Sequence, residues 1–332
     1  MLTPAYKLTL GNRLVDTTDE PQASTVVELT VSLDLDTPAD SLTLVLGNAD
    51  GLKPVCDDQA QVELGYADNG GLTQVLSGAV VTVEPNLTTT RVTAHSAAGA
   101  LLRTVVNQTY ESKTAGAIVR DLAGQAGVDV ATAEDGITFP AYVVDARRGV
   151  YHHLRELADL CGFDLYIDPD GGLVFEPFVN GKQVHVFEYA KHILALDVER
   201  RPLAAARIEA WGESPGGSQG DESWAWLTRD FSGFKGTAGS GTPLRLLERP
   251  ALRTRNAAHS AAAAAFTAVQ RQTLRGWLLI LGRPEIKLGD AIRLSNLPDA
   301  ALNANYQVRR ITHRLSKRGG FTTTVGFRAI QV

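Results

Sequence analysis

The chain has 332 residues, of which 44% are hydrophobic and 21% charged, with a formal net charge of −5. That length supports two or three domains with real cores, and the composition excludes wholesale disorder. The acidic balance argues against a protein that depends on clinging to nucleic acid, and no apolar run reaches the ~18 residues that span a bilayer.

The opening residues, MLTPAYKLTLGNRLVD, lack the basic start and continuous apolar core of a signal peptide. Two cysteines, Cys56 and Cys161, make no disulfide framework. A chain made in the reducing cytoplasm is therefore expected. Charge is unevenly spread. Residues 1–105 hold five Lys/Arg against thirteen Asp/Glu, a balance of −8, while residues 251–332 hold thirteen against three, a balance of +10.

From Val27 to Leu35 every odd position is apolar and every even one polar, which predicts a half-buried strand. Leu42, Leu44 and Leu46 repeat the pattern, as do Val62, Leu64 and Tyr66, and Val75–Val83 and Arg91–His95 add two more strands. Turn clusters at 37–40, 47–51 and 68–71 separate them. Short strands at this spacing predict an antiparallel β-barrel over residues 1–105.

Residues 106–185 read as an α/β module. Ser112 or Thr114 can cap a helix whose stripe is Ile118, Val119, Leu122, Ala123 and Ala126, with Gly127 to end it. Val150, Leu154, Leu157, Ala158 and Cys161 then share one face of a second helix, and Gly162 stands where a left-handed cap is expected. Phe163, Leu165 and Ile167 alternate with Asp164 and Tyr166, the run from Asp168 to Gly172 turns the chain, and Leu173 and Phe175 return it as a hairpin.

Residues 186–332 read as a second β-barrel with two insertions. One is the long Gly-rich loop 212–243, whose Trp224, Trp226, Phe231 and Phe234 suggest docking on a partner. The other is an Ala-rich helix at 256–275. Strands are predicted at Ile193–Arg200, Arg207–Trp211, Trp277–Leu281, Ala291–Leu294, Tyr306–Leu315 and Phe321–Ala329. The strand–loop–strand order around Thr88-Thr89-Thr90 recurs around Thr322-Thr323-Thr324, hinting that the two barrels are copies. The fold expected is mainly β (α+β): two similar antiparallel barrels separated by an α/β module.

Three passages carry a family resemblance. The first runs from Leu76-Ser77-Gly78-Ala79-Val80 through Leu101 to Thr114–Gly127. The second is the helix and hairpin from Val150 to Pro177, with Leu157-Ala158 and Gly162 in place. The third is Gly289-Asp290-Ala291-Ile292, then Tyr306-Gln307-Val308, His313 and Gly320-Phe321-Thr322-Thr323. In order and spacing they resemble the phage late control protein D family of contractile-tail baseplate hub proteins, which includes the hub of T4-like tails and the N-terminal part of type VI spike proteins.

The resemblance implies a structural hub in a phage tail or phage-derived injection particle. Such a hub is a homotrimer whose two barrels per chain make six near-equivalent units. It adapts a hexameric tail tube to a trimeric spike and touches baseplate wedge proteins, while DNA or cargo passes the pore without specific binding. No membrane partner, cofactor, metal or catalytic residue is implied. The charge split suggests front-to-back contacts between chains, with Arg309, Arg310 and Arg314 at the inter-subunit interface. Two alternatives remain open: a peptidoglycan or glycan hydrolase or glycan-binding module with Trp211, Trp224 and Trp226 as a sugar platform, and the N-terminal part of a type VI secretion spike.

Motifs for other chemistry are missing or incomplete. No Gly-x-Ser-x-Gly elbow, His-Glu-x-x-His or Walker loop occurs. His152 and His153, adjacent on a helix, point about 100° apart. Glu188 and His192 have the spacing of a surface pair, and the Asp168–Gly172 run lacks the later ligands of a calcium loop. His313 reads as a structural strand residue.

Overall fold

The computed structural model describes residues 2–18, 25–47, 53–68, 71–212 and 235–330. Seven strands come first: β1 (Pro4–Leu10), β2 (Arg13–Asp16), β3 (Val26–Asp34), β4 (Ser41–Gly47), β5 (Gln59–Tyr66), β6 (Gly71–Pro85) and β7 (Thr89–Ser96). The alternation in β3 is borne out at Leu29, Val31 and Leu33, all buried. Val27 departs from it and is 41% exposed, because a bulge between Val26 and Glu28 adds a residue and turns Val27 outward.

The middle of the chain supplies α1 (Ala98–Arg103), β8 (Gln108–Thr114), α2 (Ala115–Gln125), β9 (Val130–Ala133), β10 (Thr138–Val144), α3 (Val150–Cys161), β11 (Phe163–Ile167) and β12 (Leu173–Pro177). Thr114 is the cap of α2, its hydroxyl accepting the Ala117 N–H at 3.2 Å. Gly162 ends α3 at φ +71, and a Cβ there would also lie 2.9 Å from the Ala264 Cβ, so the position serves both the cap and a close helix approach. In the β11–β12 turn the Asp168 carboxylate accepts from Asp170 N–H at 3.0 Å and Gly172 N–H at 2.8 Å, an Asx turn.

The last third holds β13 (Val184–Glu188), β14 (Ile193–Arg200), β15 (Arg207–Trp211), β16 (Gly236–Gly239), β17 (Leu244–Glu248), α4 (Arg255–Arg271), β18 (Leu274–Leu281), β19 (Ala291–Ser295), β20 (Asn305–Ser316) and β21 (Gly320–Ala329). The protein is mainly β, as expected, but both ends of the chain share a single sheet. Its strand order is β14-β18-β21-β20-β3-β4-β7-β6-β5-β1-β2, with β19 also paired to β20 and β13 to β19, thirteen strands in all. Except for the β13–β19 pair the ladder is antiparallel. The sheet curls, since Tyr66 on β5 donates to the Gly282 carbonyl at 3.1 Å and stacks against Phe321 of β21 at 5.6 Å.

Two cores result. One fills the curl, with Leu29, Leu44, Leu64, Ile280, Ile311 and Val325 among its members. The other gathers the middle helices and small sheets with α4 and β15. The β11–β12 hairpin lies between them. Leu165 and Ile167 enter the second core and Tyr166 and Val174 the first, so β11 is buried on both faces although its sequence alternates. Alanines 257, 258, 261 and 262 let α4 lie flat on β15 and β16.

A Cβ on Gly236 of β16 would stand 2.2 Å from the Ala258 carbonyl, where backbone cannot yield. Gly236→Ala is expected to cost about 1–3 kcal/mol by overpacking, read as a lower urea midpoint at unchanged slope.

Candidate functional site

Three parts of the chain meet where β20 leaves β19 and takes up β3. Arg310 of β20 stands opposite Asp34 of β3, and Arg314 opposite Thr30 beside Glu28. Ion pairs follow, Arg310 to Asp34 at 2.5 Å and Arg314 to Glu28 at 2.9 Å. Arg309 is the extra residue of a bulge between Val308 and Arg310, which aims its side chain away from the ladder and toward β11.

There Arg309 is 7% exposed and pairs with Asp164 at 3.1 Å and with Asp36. Gln307 donates to the other oxygen of Asp164 at 2.5 Å, and Arg328 donates to Gln307 Oε1 at 2.8 Å. Burial, aided by the positive charge of Arg309, pushes the Arg328 guanidinium down to about 9. The β3–β4 loop closes over this cluster. Arg155 of α3 donates to the Leu35 carbonyl at 2.8 Å, Tyr151 to that of Thr37 at 3.3 Å, and the Asp40 carboxyl accepts the Asp34 N–H at 2.9 Å. Burial, with the Asp34 charge nearby, pushes Asp40 up to about 7.

The arginines singled out from the sequence thus sit in one cluster and are engaged within their own chain. Arg310 and Arg314 keep 59% and 61% of their side chains exposed. Trp224, Trp226, Phe231 and Phe234 lie outside the described residues. His152 and His153 diverge, His153 being fully buried with Nε2 3.0 Å from the Asp145 carbonyl. Glu188 and His192 share a local turn, the Glu188 N–H donating to His192 Nδ1 at 3.1 Å. His313 is buried inside the sheet, which pushes its pKa down to about 3, and its Nδ1 lies 2.9 Å from the Thr323 hydroxyl. Burial likewise pushes the Cys161 thiol up to about 11.

The sequence reading missed a pair joining β13 to β19. Asp290 accepts from His185 at 2.9 Å and from the backbone of Gln183 and Lys287. Its signal was the Gly289-Asp290 dipeptide, Gly289 taking φ +88 so that the carboxylate can turn back.

A pocket of about 270 Å³ is lined by Glu134, Asp164 and Glu176, but Arg309 and Gln307 hold Asp164, and Lys182 holds Glu176 at 2.6 Å. A shallower cleft of about 900 Å³ on the outer sheet face has four arginines and four carboxylates among its walls. Arg275 pairs with Glu199, Arg310 with Asp34 and Arg309 with Asp36, so the cleft presents little unbalanced charge. Among the described residues no cluster of His, Cys, Asp and Glu could hold a metal ion, and no helix is long and apolar enough to cross a membrane.

No protein-family profile matches the sequence, and no curated protein matches it by sequence. Solved structures do match. The 43 kDa tail protein of prophage MuSo2 from Shewanella oneidensis superposes with a TM-score of 0.72 at 11% identity, over 97% of each chain. A tail protein from Neisseria meningitidis gives 0.74 at 14% identity, over 99% of this chain and 97% of that one. An E. coli component of the type VI secretion system, described as similar to the T4 tail proteins gp27 and gp5, gives 0.61 at 10% identity, over 97% of this chain and 76% of that one. The fold is that of these tail and secretion-system proteins, and the family resemblance read from the sequence holds at the level of fold.

Arg309→Ala should cost about 3–5 kcal/mol, because it leaves the buried Asp164 with no cation nearer than Arg328 at 4.0 Å among the described residues, whereas Arg314→Ala, at an exposed pair, should cost at most about 1 kcal/mol. Chemical denaturation of the two variants compares them directly. Asp40 has a folded pKa above its unfolded one, so its share of stability is complete below about pH 4 and is lost as pH rises through about 7. Asp40→Asn should therefore gain stability over the parent between pH 4 and pH 8, by up to about 4 kcal/mol, and melting curves at the two pH values should diverge accordingly.

Proposed function

We propose that the chain is a structural component of a contractile injection machine, in the position of the baseplate hub. It acts as a homotrimer that adapts a six-fold tail tube to a three-fold spike. The observation that carries the reading is the chain-long likeness to tail proteins, which extends over 97–99% of the sequence and takes in both ends and the middle module. In this reading the strands on either side of β3 and β4 act as two barrel-like units. The hairpins β6–β7 and β20–β21, which carry the repeated threonines, flank that pair of strands.

The mechanism is load transfer and symmetry matching, which need shape and interface complementarity rather than turnover. The junction suits it. A sheet that uses both ends of the chain, locked to the middle module through Arg309 and Asp164, passes force along hydrogen-bonded strands without a hinge between front and back. Arg310 and Arg314 retain enough exposure to reach a neighbouring chain as well. Tube, spike and wedge proteins are the partners, the assembled tail or particle is the site of action, and no substrate is turned over.

Light scattering and negative-stain imaging of the purified chain test this. The expected result is a mass of three chains and a three-fold ring with a central opening. A monomer at every concentration, or peptidoglycan cleavage abolished by a single Asp or Glu substitution, would refute it.

A further inference from the structure

The ion pairs along the outer cleft leave one of its guanidinium groups over. Arg328 of β21 lies in the cleft wall with its side chain 16% exposed. Its Nε–H donates to Gln307 Oε1 at 2.8 Å, and Gln307 presents that oxygen because its amide nitrogen donates to Asp164. The only carboxylate within 4.0 Å of Arg328 among the described residues is Asp164, at 4.0 Å from Nη2 and already held by Arg309. A guanidinium has five N–H donors, and here a single one has a hydrogen-bond acceptor among the described residues. Arginines are almost never this far buried without an anionic partner.

The residue across the ladder sharpens the imbalance. Arg275 of β18 stands opposite Arg328 in the β18–β21 register and lines the same cleft. Directly opposed side chains start from Cβ atoms about 5 Å apart, a spacing at which like charges repel. The counter-ion of Arg275 does not come between them. Glu199 lies on the far side, on β14, where Arg201 shares it at 2.5 Å. Burial, and then the charge of Arg309, disfavours the charged form of Arg328, as an anion beside it would not. Asp197, the cleft carboxylate that makes no ion pair among the described residues, is two strands and two residues from Arg328. Strand geometry makes that about 12 Å, beyond the screening length of about 8 Å at physiological salt.

We propose that the cleft binds a phosphate-class oxyanion between the guanidinium groups of Arg328 and Arg275. Two forks on adjacent strands suit a tetrahedral anion, which has oxygens for both. A carboxylate offers one edge of two oxygens and serves one fork at a time. The bound anion also relieves the repulsion across the β18–β21 ladder. At about 900 Å³ the cleft admits free phosphate or the phosphate end of an ester, and Trp277, 43% exposed on its wall, can stack on an ester's organic part.

Titration calorimetry of the full chain with inorganic phosphate, in chloride buffer at constant ionic strength, tests the site. Saturable binding of one phosphate per chain is expected, with a matching rise in melting temperature. Arg328→Gln and Arg275→Gln should each weaken binding by roughly tenfold or more, the worth of a hydrogen bond to a charged group. Arg91→Gln, at an exposed position on β7, should bind like the parent. If melting in chloride shows Arg328→Gln unfolded, Arg328→Lys, which keeps the charge but loses the fork, should fold and bind several-fold more weakly. Phenyl phosphate separates the two sources. Tighter binding that Trp277→Ala removes assigns the site to an ester, and equal or weaker binding assigns it to the free ion. A parent with no saturable phosphate binding overturns the proposal, as do arginine variants that bind like the parent. Acetate bound as tightly as phosphate overturns the ligand class.

Discussion

The pairing of β3 with β20 is the contact on which the architecture rests. Seven consecutive register pairs, from Asp34 opposite Arg310 to Glu28 opposite Ser316, join the first long strand to the next-to-last one. The ion-paired side chains Glu28 and Arg314 are 286 positions apart. On one side of this seam hang β4, β7, β6, β5, β1 and β2, and on the other β21, β18 and β14, with β19 and β13 also joined to β20. The seam cannot form until nearly the whole chain exists. Long-range pairing of this kind lowers folding rate more than it lowers stability, since loop closure costs only logarithmically with length.

The polar cluster around Arg309 makes that seam specific. A buried guanidinium held by Asp164 and Asp36 gains little over a well-packed apolar substitute, because desolvation offsets most of the attraction. What it does is penalise every wrong arrangement. A one-residue slip between β3 and β20 would turn the buried face of one strand outward relative to the other and would separate Arg310 from Asp34. Loss of the bulge would swing Arg309 out of reach of β11, leaving the buried Asp164 with no cation nearer than Arg328 at 4.0 Å among the described residues. The same cluster ties the hairpin of the middle module to the sheet, so register in one element is checked against position in another.

The surface reflects the same economy of means. Its charges are largely spent on one another, across β14 and β18 as across β3 and β20. The outer sheet face, with Thr322, Thr30, Thr43 and Thr93 in one row of the register, carries the β-branched side chains that favour extended backbone. Exposed apolar residues are dispersed among its elements, among them Val184 and Val186 on β13, Leu244 and Leu246 on β17, Trp277 and Leu281 on β18, and Leu87, 95% exposed at the tip of the β6–β7 hairpin.

Much of the local structure was legible from the sequence. Periods of two and of about 3.6 located β3 to β7, α2, α3 and the closing strands, and the cap at Thr114 and the left-handed end at Gly162 fell where residue chemistry puts them. The arginine cluster was legible as a cluster. Its partners were not, because Asp34, Asp36 and Asp164 are brought to it by pairing across the whole chain, and periodicity tells which face of a strand is buried, never which strand lies beside it. For the same reason a front and a back that each read as a barrel could not be seen to share one sheet, and β11, alternating like a half-buried strand, could not be seen to lie between two cores. Side-chain pattern is set by nearest neighbours along the chain. Strand order is set by which apolar faces remain uncovered once those local choices are made, and only the tertiary structure decides that.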